Sequence, residues 1–160
     1  MEHSILIADD EDSIRFVLTK ALQKQGYRIH TARNGAETID CLRAVPVDVI
    51  LLDIFLGDTD GLALMKQIQE INEIASIIVI TGHGTTQTAI EAAKRRAYDY
   101  LTKPFDIKVV IDLVSRAAYA TDQAKTVMAT VADDTQISSA SQPEEKGVTT
   151  QIVGKARQCM

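Results

Sequence analysis

The chain predicts an α/β fold: a five-stranded parallel sheet covered by helices on both faces. Three observations point there. Short apolar runs rich in β-branched residues recur from the N-terminus onward. They are apolar on both sides of a strand, as strands buried between two layers must be. Stretches with helical apolar spacing fill the gaps, so strand and helix alternate five times.

The first strand is Ile5-Leu6-Ile7-Ala8. Ile14, Val17, Leu18, Ala21 and Leu22 then follow the i, i+3, i+4, i+7, i+8 stripe of a helix, which Gly26 ends. Arg28-Ile29-His30-Thr31 alternates polar and apolar and suits an edge strand, while Ala36, Ile39 and Leu42 mark a second helix behind Asn34-Gly35. Val49-Ile50-Leu51-Leu52 is the third strand, followed by a helix on Leu62, Met65 and Ile68. Ile77-Ile78-Val79-Ile80 is the fourth, with an Ala-rich helix from about Thr85 to Arg95. Tyr98-Asp99-Tyr100-Leu101 is a weaker fifth strand, and Ile107, Val110, Ile111 and Val114 open the fifth helix.

Past Ala120 the character changes. Val110, Val114, Ala117, Thr121, Ala124, Met128 and Val131 keep a 4-3 spacing. Two readings stand: the last helix extends over 121–132 into a short coiled coil, or a core helix is followed by a frayed tail. Residues 133–160 are polar, with Pro143 and Gly147, and read as a flexible linker or tail. The organisation is thus a domain over 1–120, an extension and a tail.

Composition narrows the classes. The 160 residues suit one domain plus a tail, and 46% hydrophobic content without tryptophan predicts an aliphatic core. A net charge of -5 argues against nucleic-acid binding by this segment, because phosphate backbones call for a surplus of Lys and Arg. Cys41 and Cys159 are no disulfide framework, which fits a reducing compartment. Met1 to Asp10 lacks a signal-peptide pattern, and no apolar run approaches the ~18 residues of a membrane helix. A cytoplasmic protein with no membrane contact is expected.

Four polar features fall at carboxyl ends of strands: Asp9-Asp10 after the first, Asp53 after the third, Thr81 at the end of the fourth and Lys103-Pro104 past the fifth. Sites in open α/β sheets form outside those ends, where the strand order reverses. Asp9, Asp10 and Asp53 can share one ion only if strands one and three are neighbours. Thr81 and Lys103 reach the same spot if strands four and five follow. That gives the order 2-1-3-4-5, the flavodoxin-like (βα)5 doubly wound topology. Clustered carboxylates repel in a partly desolvated cleft, and a divalent cation relieves them. Magnesium suits a few carboxylates plus phosphate oxygens. A carboxylate can act as nucleophile to form an acyl phosphate, with a hydroxyl from Thr81 and a point charge from Lys103 on the phosphoryl oxygens. Any one feature alone is commonly structural, an Asp pair as a helix cap or a Lys-Pro as a loop. All four in order point to Mg2+-assisted phosphoryl chemistry on Asp53.

These residues resemble the receiver domains of two-component response regulators, over roughly Ser4 to Ala120. The resemblance rests on Ile5-Leu6-Ile7-Ala8-Asp9-Asp10-Glu11, Asp48-Val49-Ile50-Leu51-Leu52-Asp53, Thr81-Gly82-His83-Gly84 and Ala97-Tyr98-Asp99-Tyr100-Leu101-Thr102-Lys103-Pro104-Phe105. The last two are most similar to the nitrogen-regulator (NtrC-like) branch, whose members activate transcription with an alternative sigma factor. The resemblance implies a phosphoacceptor switch domain rather than an enzyme with independent turnover. Asp53 would be charged by a partner histidine kinase. Asp10 would hold Mg2+ directly, Asp9 through water, with the backbone carbonyl of Phe55 as a further ligand. Thr81 and Lys103 would hold the phosphoryl group, and Tyr100 would turn inward as Thr81 moves. It also implies a cis Lys103-Pro104 bond and an output face made by the fourth helix, fifth strand and fifth helix, a surface for a homodimer together with the extended last helix.

Two positions depart from the family's pattern. Gly57 stands where a proline is usual, which should loosen the loop beside Asp53, and Arg96 stands where the branch has glycine, so a left-handed backbone there would leave it slightly strained. Phe55 and His83 lie two residues past Asp53 and Thr81. A bulky Phe55 is expected to obstruct an in-line water and prolong the phosphorylated state. Gln151-Ile152-Val153-Gly154-Lys155 faintly resembles the start of the ATPase domain that follows the receiver in that branch, with no phosphate-binding loop after it. The expectation is a fragment of a longer activator or a receiver with a vestigial tail. Three rivals are weaker. A dehalogenase-type hydrolase wants a second Asp where Phe55 stands. A flavin carrier wants a phosphate loop where Asp9-Asp10-Glu11-Asp12 stands. A degenerate receiver would lack an acid, Thr81 or Lys103.

Overall fold

The structure of the chain, a computed structural model, describes residues 2–82 and 84–141, with side chains as far as 131. His83 and the part of the linker from 142 to 160 lie outside the described residues. The elements run β1 (Ser4–Ala8), α1 (Asp12–Gln23), β2 (Arg28–Ala32), α2 (Gly35–Ala44), β3 (Val49–Asp53), β4 (Phe55–Leu56), β5 (Thr59–Asp60), α3 (Gly61–Ile71), β6 (Ser76–Thr81), α4 (Thr86–Lys94), β7 (Asp99–Thr102) and α5 (Ile107–Ser141). The main sheet has the order β2-β1-β3-β6-β7, all parallel. Without the two-residue strands β4 and β5, this is the order 2-1-3-4-5.

Strand alternation divides the core. Leu6, Ile50, Leu52, Ile77 and Val79 face one side and pack with Leu64, Met65 and Ile68 of α3 and Ala92 of α4. Ile5, Ile7, Val49, Leu51, Ile78 and Ile80 face the other, against Leu18 and Leu22 of α1 and Val110, Val114 and Ala117 of α5. All these side chains are buried, so a one-residue slip of a central strand would exchange two complete sets of contacts. The register levels Asp53 with Ile80, and Thr81 with Thr102. The carboxyl ends of β1, β3, β6 and β7 therefore meet at one edge.

Local caps fix the helices that flank this edge. Asn34 accepts the Glu37 amide at 2.9 Å to start α2, Asp60 accepts the Leu62 amide at 2.9 Å to start α3, and Thr85 accepts the Thr88 amide at 3.1 Å to start α4. The segment after Asp53 is an antiparallel ribbon pairing Phe55 with Asp60 and Leu56 with Thr59. Gly57 turns it at φ +63°, which proline, locked near -65°, could not adopt. The replacement expected to loosen the loop thus accompanies a paired turn.

At the opposite end of the sheet, the buried Thr121 hydroxyl donates to Asp48 O at 2.7 Å and lies 2.9 Å from Ser76 Oγ. The chain divides into two compact units, the first ending at Thr121. In the second, α5 continues to Ser141, through residue 133 where the sequence reading begins a linker. The reason is local: no glycine or proline stands between Ile107 and Ser141, and Pro143 is the first breaker. Along this stretch Ala124, Met128 and Val131 are half-buried while Gln123, Lys125 and Val127 are exposed. Among the described residues no helix is long and apolar enough to cross a membrane.

Candidate functional site

β1 delivers Asp9, 3% exposed, and the solvent-facing Asp10. Asp9 Oδ1 accepts the Glu11 amide at 2.8 Å. β3 ends on Asp53, 5% exposed, whose Oδ1 accepts the Phe55 amide at 3.0 Å. Thr81 ends β6 and is fully buried. Lys103 follows β7, and its amide donates to Thr81 O at 2.8 Å. The Lys103–Pro104 peptide is cis. Lys103 Nζ lies 3.0 Å from Asp53 Oδ2, 2.9 Å from Asp9 Oδ2 and 2.8 Å from Glu11 Oε1. Residues from positions 9 to 103 thus converge on one ammonium group.

The electrostatics follow from crowding. Burial pushes the Asp53 carboxyl above the usual carboxylate range and the charge of Asp9 pushes it further, opposed by the Phe55 amide and Lys103. Burial alone would lower the Lys103 ammonium, but hydrogen bonds to Glu11 and Asp53 and the charge of the adjoining Asp9 outweigh it and hold Lys103 above its ordinary value.

One cation does not satisfy this set. Asp9 Oδ2 is buried and pairs with Lys103 by proximity, yet it makes no hydrogen bond. Carboxylate oxygens of Asp9, Asp10, Glu11 and Asp53 lie within 4.8 Å of one another. An all-oxygen acidic cluster with an unsatisfied buried oxygen fits a hard divalent cation such as Mg2+.

Glu11 is the member the sequence reading did not assign. It stands at the N-cap position of α1 yet gives no side-chain cap, because its carboxylate goes to Lys103. The signal was present in the acidic run from Asp9 to Asp12. Phe55 sits on β4 beside the cluster and is 58% exposed. Tyr100 lies on β7 with its ring against the core and its hydroxyl buried.

This arrangement matches a known family over most of the folded part: residues 5–115 match the response regulator receiver domain. The chain belongs to that family. This receiver is 42% identical over 113 residues to the DNA-binding transcriptional regulator NtrC of Escherichia coli (strain K12), a match covering 71% of this chain and 24% of the relative. The chain therefore spans about a quarter of the length of the curated relatives it matches. The crystal structure of the receiver domain of NtrX from Brucella abortus superposes with a TM-score of 0.68 at 32% identity, covering 72% of this chain and 98% of that one. The solution structure of the beryllofluoride-activated NtrC4 receiver domain dimer does so with a TM-score of 0.67 at 33% identity, covering 75% and 97%. The receiver is of the NtrC/NtrX branch, a phosphoacceptor switch domain of two-component signalling rather than a turnover enzyme.

Proposed function

We propose that Asp53 accepts a phosphoryl group from the phosphohistidine of a sensor histidine kinase, and that the acyl phosphate switches an output face. The observation that carries this is the near-buried Asp53 carboxylate at the end of the central strand, in the acidic cluster and 3.0 Å from Lys103 Nζ. Asp53 attacks phosphorus, the P–N bond to the kinase histidine breaks, and the imidazole leaves with the electron pair. Asp9, Asp10, Asp53 and the backbone carbonyl of Phe55 would hold Mg2+, which when bound offsets the negative charge gathered on the carboxylates and the phosphoryl oxygens. Lys103 turns from Glu11 to a phosphoryl oxygen, and the Thr81 hydroxyl donates to another.

The output is a population shift of the face formed by α4, β7 and α5, with Thr81 and Tyr100 as the switch residues. A homodimer through that face and the continued α5 is the partner state, supported by the dimer reported for the activated NtrC4 receiver. The relatives are transcription regulators, which supports transcription activation in the cytoplasm as the output, delivered through segments other than this acidic one. The test is a two-dimensional amide NMR spectrum with and without beryllofluoride, a phosphoryl mimic, in Mg2+. The reading expects shifts along α4, β7 and α5 that vanish in Asp53→Ala. Shifts confined to the residues around Asp53 would overturn it.

A further inference from the structure

The Tyr100 ring packs against the core side that includes Ala92 of α4, and its hydroxyl is buried. That hydroxyl has no hydrogen-bond partner among the described residues. Directly over it lies Gly84, in the loop between β6 and α4. A Cβ at position 84 would overlap Tyr100 Oη and Thr102 Cγ2, and would meet Tyr100 Cζ at 3.3 Å. The backbone of Gly84 is not left-handed, unlike that of Gly26 and Gly57. Its φ lies outside the positive range that side chains avoid, so the contacts with Tyr100 and Thr102 are what exclude a side chain there.

We propose that Gly84 is a positioning residue, a steric gate whose missing side chain admits the Tyr100 ring to its buried place. This deepens the reading of Tyr100 as a switch residue and rests on it. Two opposing effects set the balance of the gate. The space left by Gly84 favours the buried ring, which covers apolar surface of the core. The unpaired hydroxyl disfavours it, because a buried donor and acceptor has given up water for nothing. The buried position is therefore poised rather than locked, as a two-state element must be to answer a ligand. An unusual consequence follows: removing the hydroxyl should deepen the buried state, while adding one methyl at position 84 should abolish it.

The test reads the ring in the full chain without phosphate, by nuclear Overhauser contacts between the ring protons of residue 100 and the α-protons of Gly84. Wild type is expected to show the contact. Tyr100→Phe should raise the ratio of buried to exposed ring by about 5- to 30-fold, the factor associated with one unsatisfied buried hydroxyl. Gly84→Ala should lose ring contacts to residue 84 and to the core side chains the ring packs against. In that variant the beryllofluoride shifts along α4, β7 and α5 should shrink. If Gly84→Ala fails to fold, the Tyr100→Phe arm still decides: a ring less buried than in wild type overturns the proposal. A ring that stays buried in a folded Gly84→Ala also overturns it, because the loop would then have yielded instead of the ring. Failure of the parent reading looks different, as a chain that takes no phosphoryl group at Asp53 while its ring still answers both substitutions.

Discussion

Arg96 closes α4 at φ +64°, with its amide donating to Ala93 O at 3.0 Å and the Ala97 amide to Ala92 O at 3.0 Å. A residue with a Cβ in that region is strained by about 1–2 kcal/mol relative to the right-handed region. Glycine escapes the strain, but its freer unfolded chain offsets about 0.4–1 kcal/mol of the gain. The Arg96 side chain is exposed, so its removal opens no cavity. Arg96→Gly should therefore stabilise the fold by about 0.5–1 kcal/mol. In a domain of this size that raises Tm by roughly 2–5 °C. Arg96→Ala keeps the strain and should leave Tm nearly unchanged. Thermal melting followed by circular dichroism, with chelator present, compares the three proteins. A glycine variant no more stable than wild type, or an alanine variant that gains as much, would refute the reasoning.

The other predictions test separate parts of the molecule. Thr121→Val removes a buried hydroxyl, but Ser76 keeps Asp48 O at 3.0 Å through its amide and Ala117 O at 3.0 Å through its own hydroxyl. No partner is left wholly unpaired, so urea unfolding should show a loss of about 1–2 kcal/mol, with Thr121→Ser retaining most of the stability. Asp53→Asn should stabilise the metal-free protein at neutral pH. Burial raises the folded-state pKa of Asp53, so its contribution is present at low pH and is lost as pH rises from the ordinary carboxylate range through the folded value. The gain in Tm should therefore vanish near pH 3, and an equal gain at both pH values would count against it. Phe55→Asn should shorten the life of the phosphorylated state, followed by intact mass after removal of the donor. An unchanged or slower decay would show that the exposed ring does not obstruct water.

Most of the frame was legible because central parallel strands need to be apolar on both faces. Ile5 to Ala8, Val49 to Leu52 and Ile77 to Ile80 could be little else, and each lies within one observed residue of its strand end. The strand order was legible only through chemistry, from the need to bring Asp9 and Asp53 together. The ribbon of β4 and β5 was not, because two-residue strands carry no periodicity. Nor was the role of Thr121, which occupies an apolar stripe on α5, while its partners Asp48 and Ser76 lie 73 and 45 residues away. Glu11 was visible as part of an acidic run, but its pairing with Lys103, 92 residues distant, follows from the fold alone. The left-handed backbone at Arg96 could be anticipated only as a condition, since nothing in an arginine signals it.

The account stands on Asp53 as phosphoacceptor, and intact-mass analysis after incubation with acetyl phosphate and Mg2+ tests it most directly. The account predicts one phosphoryl adduct on the wild-type chain, absent in Asp53→Ala and absent with chelator. An adduct that persists in Asp53→Ala, or none on a folded wild-type chain, would contradict it.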